Sequence, residues 1–245
     1  KHAKSAADQH GWEHIEYRMC DDNLDLPSAS RKVSMILKLP GDITQLDNDL
    51  GAKVRAQCKQ ADRHEPQIVF GSVELLDEFY RVFSRNMRDL GTPVYPKVFF
   101  KTILEELPRH CTIVVVRLGQ AAVGTAFLAG YKDMLEIPWA STRREYNSYN
   151  INMWMYRQML IHTIKNGYDY FDFGRSTINA GTYQFKKQWG AKPLQHHWYY
   201  HLAPDKALPQ LNPDNPRYRL AIAAWKRLPV FVANILGPSI VKHLP

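Results

Sequence analysis

The segment FDFGRSTINAGTYQFKKQWGAKP, residues 171–193, concentrates side chains that can act on an amine and on an anion. Asp172 alternates with two phenylalanines, so on a strand its carboxylate points to the face opposite the two rings. A carboxylate at that position is either a structural ion-pair partner of Arg175 or of a neighbouring lysine, or a general base or orienting group for an amine nucleophile in acyl transfer. The residues alone do not separate these two interpretations.

A helix that begins near residue 181 carries the other charged groups of the segment. Tyr183, Lys186 and Lys187 share one face by their spacing, whereas Phe185 and Trp189 share another and are expected to pack on the sheet. The helix follows the end of a strand, where α/β sheets tend to bind ligands. We therefore expect the two lysines to bind an anion, and their joint replacement by Ala to abolish turnover with little loss of stability.

A second candidate site is the polar loop STRREYNSYN, residues 141–150, ahead of a long predicted helix. Helix N-termini and paired guanidinium groups bind phosphates, so Arg143 and Arg144 are candidate phosphate ligands and Asn150 is a candidate cap. The alternative is a solvated loop. Trp139 is either a pocket wall or a core residue. The predicted catalytic residues are thus Asp172, Lys186 and Tyr183, and the predicted substrate- or cofactor-binding residues are Arg175, Lys187, Arg143, Arg144, Asn150 and Trp139.

Other reaction classes leave no signature in the sequence. It contains no Walker A loop, G-x-G-x-x-G fingerprint or G-x-S-x-G elbow, which argues against P-loop, dehydrogenase and α/β-hydrolase chemistry. His162 has no ligand-type residue at metal-binding spacing, and no C-x-x-C pair occurs, so no metal site is predicted. The separated cysteines favour a reducing, cytoplasmic compartment. The net charge of +8 favours phosphate-bearing partners such as a nucleotide cofactor, tRNA or an anionic membrane.

The elements that must position these residues alternate between helices and strands. From residue 42 to 202 the predicted order is helix, strand, two helices, a three-strand meander, a long helix, strand, helix and strand. A meander followed by a crossover helix predicts a mixed α/β sheet with helices on both faces. Ile43, Leu46, Leu50 and Val54 predict one continuous helical face. Two predicted strands, 12–18 and 31–39, have no evident partners and are interpreted as the tail of a preceding domain.

The last thirty residues, 216–245, contain an amphipathic stretch interrupted by Pro229 and Gly237. One interpretation is a helical segment docked across the domain. The other is a peripheral membrane contact, because basic side chains accompany Trp225 and Phe231. No apolar run approaches the roughly 20 residues needed to span a bilayer. The chain begins at Lys1 rather than at Met, which suggests a fragment of a longer protein.

Six runs of the chain match one protein family: AKVRAQ (52–57), NMRDLGTPVYP (86–96), IPWASTRREYN (137–147), FDFGRST (171–177), GTYQFKKQWGAKP (181–193) and RLPVFVANILGP (227–238). On these runs, which extend over nearly the whole chain, the protein resembles the FemAB-related proteins of the PEP-CTERM/exosortase system, within the GNAT-like acyltransferase superfamily. The resemblance implies two tandem GNAT-like lobes. Residues 1–41 would be the remnant of the first lobe, 42–215 a complete acyltransferase lobe, and 216–245 a C-terminal helical segment.

The resemblance also implies an activity. Relatives transfer an acyl or aminoacyl group, from acyl-CoA or aminoacyl-tRNA, to an amino group of a cell-envelope or exopolysaccharide precursor, with no permanently bound cofactor. The residues that match the substrate channel of the Fem enzymes are Phe185, Lys186 and Lys187. The loop before the long helix lacks the Gln/Arg-x-x-Gly-x-Gly/Ala pattern of CoA-binding relatives. Its absence argues against acyl-CoA as the donor and favours tRNA or another donor. The alternatives are a non-catalytic GNAT-like binding module for envelope or export components and a peripheral membrane adaptor.

Overall fold

The computed structural model describes residues 2–29, 32–208 and 216–242. The chain divides into a smaller unit, from residues 1–36 and 173–213, and a larger unit, from residues 37–172 and 214–245. The predicted boundary at residue 215, the predicted strand start at Arg31 and the last three residues lie outside the described residues. Among the helices of the described ranges, none has the length and apolar character needed to cross a membrane.

The larger unit is built on a mixed sheet. Its strands follow the order β4-β5-β6-β7-β8, antiparallel from β4 to β7, with β8 parallel to β7. The elements are α2 (Ile43–Asp49), α3 (Ala52–Asp62), β4 (Gln67–Gly71), α4 (Leu76–Leu90), α5 (Lys97–Glu106), β5 (Cys111–Leu118), β6 (Ala121–Tyr131), β7 (Met134–Thr142), α6 (Ile151–Lys165), β8 (Tyr170–Thr177), α8 (Pro216–Trp225) and α9 (Val230–Val241). Only the first three residues of β8 belong to this unit.

Helices cover both faces of this sheet because successive strand residues point to opposite sides. On one face, Ile113 and Val115 of β5 pack with Phe79 and Phe83 of α4 and with Phe100 of α5. These five side chains are buried, and the rings meet edge-on or stacked. The predicted mixed α/β sheet with helices on both faces is confirmed.

The opposite face carries α6, with α3 packed on it. Gly124 of β6 lies so close to α6 that a Cβ there would be 3.3 Å from the sulfur of Met155 and 3.4 Å from Val116 Cβ. The indole N–H of Trp154 donates to the Asp62 carboxylate over 2.7 Å and ties α6 to α3. The long helix predicted over 151–165 is therefore buried between the sheet and α3.

The continuous helix predicted from Asp42 through Val54 is wrong in one respect. Leu50 has extended backbone angles, and α3 restarts after Gly51. Gly51 is extended as well, and it precedes the first residue of α3. The apolar period persists across the break because both helices bury their apolar faces in the same unit.

The smaller unit contains the remaining elements. They are α1 (His2–His10), β1 (His14–Met19), β2 (Ser28–Ala29), β3 (Lys32–Lys38, whose last two residues belong to the larger unit), the rest of β8, α7 (Gly181–Lys187), β9 (Lys192–Gln195) and β10 (His197–Leu202). Strand β10 lies between β1 and β2 in an antiparallel three-stranded sheet, and β3 pairs with β9. The expectation that the two early strands have no partners is therefore wrong. Their assignment to the remnant of another lobe stays a prediction.

The C-terminal segment forms α8 and α9, which pack within the larger unit. Gly91 ends α4 with a φ of +84°, and a Cβ there would meet Ile222 of α8 at 2.5 Å. A Cβ on Gly237 would meet the backbone N and O of Val94 at 2.9 and 3.0 Å. The predicted interruption at Gly237 is wrong, because this glycine lies inside α9 and allows its close approach. Pro229 does precede the first residue of α9, as expected.

Candidate functional site

One edge of β7 is the first feature that can act on a ligand. Its other edge is paired with β6 as far as Thr142, and within the larger unit β8 pairs with its first three residues, Met134 to Glu136. Among the described residues of the larger unit, no strand covers that edge from Ile137 onward. Backbone N–H and C=O groups on an uncovered strand edge are available to an extended ligand.

A β-bulge lies at the start of this uncovered stretch. Phe127 pairs with Trp139 and Ala129 with Glu136, so two residues of β7 stand opposite Leu128 alone. One of the two is Pro138, which has no N–H to donate. Bulges re-aim backbone groups and occur next to active sites. The local irregularity therefore favours a binding role for this edge over a purely structural one.

The N-terminus of α6 adds a set of backbone donors. Asn150 precedes the helix with a φ of +55°, and its side chain does not cap the helix. Instead, Asn150 Nδ2 donates to Gln60 Oε1 over 2.6 Å, and Gln60 Nε2 donates to the carbonyl of Ser148 over 3.3 Å. The predicted capping role is therefore wrong, because α3 offers this amide an acceptor. The Asn150 side chain thus makes no capping bond to α6, and the N-terminus of a helix suits an anion.

Arg143 and Arg144 lie between that strand edge and that helix, but they do not form a pair. Arg143 donates to Glu145 Oε1 over 2.6 and 3.1 Å, and Arg85 of α4 is 3.1 Å from the same oxygen. Arg144 Nη2 donates to the Asp89 carbonyl over 3.0 Å. Each guanidinium thus has its own partner, and joint chelation of one phosphate by the two arginines stays a prediction.

The charge around this loop is nevertheless positive. The arginines are Arg85, Arg88, Arg143 and Arg144, against the carboxylates of Glu145 and Asp89, which leaves an excess of two positive charges (4 − 2). A backbone hydrogen bond and the neighbouring Arg143 and Arg85 outweigh burial and lower the pKa of Glu145, so that this carboxylate stays ionised at neutral pH. Sequence reasoning missed Arg85 and Gln60, and no local signal connects either residue with the loop.

Trp139 packs against the aromatic side chains of the core. Its ring is edge-on to Phe100 at 5.1 Å and to Phe127 at 5.6 Å between centroids. The side chain remains partly exposed. This arrangement favours the core interpretation, although Trp139 follows the bulge directly and its backbone belongs to the uncovered edge.

Asp172 is almost completely buried, with 8% of its surface exposed. It pairs in register with Glu136 of β7 and is the last residue of β8 that belongs to the larger unit. The side chain is not without a partner. A carboxylate at this depth has to be compensated, so both of its predicted roles, structural ion pair and proton acceptor, remain predictions.

Lys186 is also buried, with 8% exposed. Its ammonium donates to the carbonyls of Gly174 and Arg175, each over 2.9 Å. Gly174 has a φ of +76°, a backbone conformation that glycine adopts at little cost. The smaller unit therefore uses Lys186 to satisfy two backbone acceptors of β8.

Lys187, one residue further on, is exposed. The expectation that the two lysines are presented side by side is wrong, because a step of one residue turns a helix by about 100°. Lys186 instead is buried, as is Trp189 two residues beyond the end of α7, whose ring lies near Phe173. Tyr183 is half-buried. The binding and catalytic roles of these residues remain predictions.

Arg175 is exposed and lies near an aromatic surface. Its guanidinium carbon is 5.9 Å from the centre of the Trp198 ring, and that of Arg18 is 4.5 Å from the same ring. Two cations therefore share one indole of β10. Arg18 was not predicted, because β1 and β10 are far apart in sequence. No group of three His, Cys, Asp or Glu side chains that can hold a metal occurs among residues 2–29, 32–208 and 216–242.

Comparison with known proteins adds a family and a fold. The sequence pattern of a family described as an acetyltransferase (GNAT) domain matches residues 51–187. No curated protein matches the sequence. Solved structures with a similar fold include FemX, with a TM-score of 0.61, 13% identity and coverage of 91% of this chain and 71% of that one.

Two further structures are similar to the same extent. The C-terminal domain of a putative lysylphosphatidylglycerol synthetase from Agrobacterium fabrum has a TM-score of 0.62 at 14% identity, with coverage of 82% of this chain and 72% of that chain. L-PGS from Bacillus licheniformis has a TM-score of 0.61 at 14% identity, with coverage of 92% and 76%. At such low identity these three similarities concern the fold alone.

Proposed function

Since the chain belongs to the GNAT acetyltransferase-domain family, we propose that it transfers an acyl or aminoacyl group from a phosphate-bearing donor to an amine. The observation that carries this proposal is the edge of β7 that no strand of the larger unit covers from Ile137 onward, followed after residues 143–150 by an α6 N-terminus that the Asn150 side chain does not cap. An extended donor can bind to that edge through its amide groups, and its phosphates can bind to the helix N-terminus. The two positive charges in excess around Glu145 favour the same anionic donor.

The proposed reaction is a nucleophilic acyl substitution. The amine nitrogen attacks the acyl carbonyl carbon, a C–N bond forms, and the C–S bond of a thioester or the C–O bond of an aminoacyl ester breaks. The amine gives up a proton and the leaving thiol or hydroxyl takes one. Backbone N–H groups at the edge of β7 are suited to stabilise the oxyanion that develops on the carbonyl oxygen.

We assign the side-chain roles as follows. Asp172 accepts the proton or orients the amine, and Tyr183 borders the acceptor. Lys187 and Arg175, both exposed, attract the anionic part of a substrate. Lys186 acts by holding β8 in place, since its ammonium already donates to two carbonyls.

For the acceptor we propose an amino group of a cell-envelope or exopolysaccharide precursor. The support is the resemblance to FemAB-related proteins of the PEP-CTERM/exosortase system, and the fold shared with FemX. The name of a second neighbour, lysylphosphatidylglycerol synthetase, denotes attachment of a lysyl group to a lipid. For the donor, both acyl-CoA and aminoacyl-tRNA carry the phosphates that the α6 N-terminus suits. A cytoplasmic location follows from either donor.

Calorimetric titration with acetyl-CoA and with free CoA tests the donor site. A dissociation constant near micromolar, about −8 kcal/mol, is expected if the donor is a thioester. Replacing Arg143 and Arg144 by Ala should raise that constant about tenfold, because phosphate contacts are charge-assisted. Arg81→Ala is the matched control, since Arg81 is exposed on α4, the helix that also carries Arg85.

The second donor to be tested is aminoacyl-tRNA. If acetyl-CoA gives no heat, transfer from charged tRNA to an amine is measured with the same variants. Turnover with either donor supports an enzyme, and the double arginine variant should reduce it. Tight donor binding without any turnover would refute the catalytic proposal and favour the non-catalytic binding module.

A further inference from the structure

Helix α9 has two faces of different character. Ala233, Gly237 and Val241 recur every four residues and are buried within the larger unit. Asn234 Nδ2 donates to Ser84 Oγ of α4 over 3.3 Å, next to that buried row. The position of α9 on the unit is therefore fixed, and its opposite side faces away from the unit.

That opposite side is apolar although it is exposed. Phe231 and Ile235, one helical turn apart, are 67% and 70% exposed. Leu236 and Ile240, one helical turn apart, lie further around the helix towards its buried face and are 46% and 39% exposed. Large apolar side chains that lie together on a protein surface mark a contact with a membrane or another molecule, whereas isolated ones do not. We call these four residues the outer row of α9.

The charges around the outer row have a single sign. Residues 216–242 contain no Asp or Glu, and their basic residues are Arg217, Arg219, Lys226, Arg227 and Lys242. The last four of these are exposed, and Lys226 and Arg227 occupy the turn between α8 and α9. The C-terminal segment that carries the apolar row thus contributes positive charge only.

From this combination we propose that the outer row of α9 binds the surface of an anionic phospholipid bilayer, with the helix lying in the plane of the interface. The apolar side chains would enter the headgroup and acyl boundary, while the basic groups stay among the phosphates. A second copy of this chain fits less well, because a self-complementary contact would bring two all-positive segments together. This binding surface is independent of the acyl-transfer site.

Vesicle flotation of the full 245-residue chain tests this proposal directly. The vesicles consist of phosphatidylcholine alone or of equal parts of phosphatidylcholine and phosphatidylglycerol. Wild type should float with the anionic vesicles only. The double variant Phe231→Ser, Ile235→Ser should lower the partition coefficient about tenfold or more, because it removes the two most exposed apolar groups of the row.

A charge variant and a control complete the design. Lys226→Glu with Arg227→Glu should weaken flotation about 20-fold or more, since each basic side chain near such a surface contributes about fivefold. Val98→Ser is the matched control, as Val98 is 62% exposed on α5, and its flotation should equal that of wild type. Because all of these side chains are exposed, thermal melts should agree among the variants.

Three results would overturn the proposal. The first is a wild-type chain that stays at the bottom of the gradient with anionic vesicles. The second is equal flotation with neutral vesicles. The third is a concentration-dependent dimer in sedimentation velocity that Phe231→Ser with Ile235→Ser abolishes, because a second copy would then cover the row.

Discussion

Replacement of Lys186 by Met provides the sharpest test of how the smaller unit is held together. Methionine keeps the apolar stem but removes the ammonium that donates to the carbonyls of Gly174 and Arg175. Each carbonyl left without a donor costs about 1–3 kcal/mol, so we expect a loss of about 2–5 kcal/mol in the free energy of unfolding. In a chain of this size that loss lowers the Tm by about 5–15 °C.

The matched control is Lys187→Met, one residue further along the same helix. Lys187 is exposed, so its replacement should change the free energy of unfolding by no more than about 0.5 kcal/mol. Urea unfolding followed by far-ultraviolet circular dichroism compares both variants with wild type. Equal stability of the Lys186 variant and wild type would contradict the bonding role assigned here. This expected loss differs from the prediction made from the sequence, that both lysines can be removed with little loss of stability.

Three further outcomes are expected. Gly237→Ala should destabilise the chain by about 1–3 kcal/mol, because the added methyl group meets backbone atoms. The control is Gly181→Ala, which should not destabilise the chain because the space at that position is open. Thermal melts compare the two variants. Hydrogen bonds from Arg117 lower the pKa of Glu78. The pair therefore stabilises the fold at pH values above the ordinary pKa of a carboxyl group. This stabilisation is lost as the pH falls through the lowered pKa of Glu78. Glu78→Gln should therefore lower the free energy of unfolding by about 1 kcal/mol at neutral pH and by less in acid. Urea titrations at several pH values measure this difference between variant and wild type. A difference that does not shrink as the pH falls would contradict the role of the pair. An aromatic disulfide reagent should label Cys20 alone in the native state, because the thiols of Cys58 and Cys111 are buried. Burial also raises the pKa of Cys58 to about 11. Rapid labelling of all three cysteines would contradict this prediction.

Local patterns in the sequence predicted the architecture well. The meander, the buried helix over 151–165 and the helix that starts near residue 181 are present, because each depends on periodicity and turn residues within a short window. The break at Gly51 was not predicted, since two helices that bury the same face preserve the apolar period across it. The pairing of β1 with β10 was not predicted either, because no local signal connects strands so far apart.

The candidate site was harder to predict, for a physical reason that Lys186 illustrates. A helical wheel assigns a charged residue to the outer face. The aliphatic stem of a lysine can nevertheless be buried when its ammonium finds acceptors. Here the acceptors are two adjacent carbonyls of β8, presented where Gly174 has a positive φ, which the sequence does not display. For the arginines of the 143–150 loop, the sequence did not show that Arg143 shares Glu145 with Arg85 of α4 or that Arg144 donates to the Asp89 carbonyl.

The register of β1 against β10 also has a consequence for the order in which the nascent chain folds. His14 pairs with Leu202, which is 188 residues further along (202 − 14). The hairpins β5–β6 and β6–β7 close over turns of only a few residues and can form while the ribosome is still making the rest of the chain. Residues 14–19 must wait for β10, because loop closure over such a distance is entropically costly and slow. During synthesis β1 is therefore an unpaired strand, open to chaperones or to neighbouring chains, until β10 has been made.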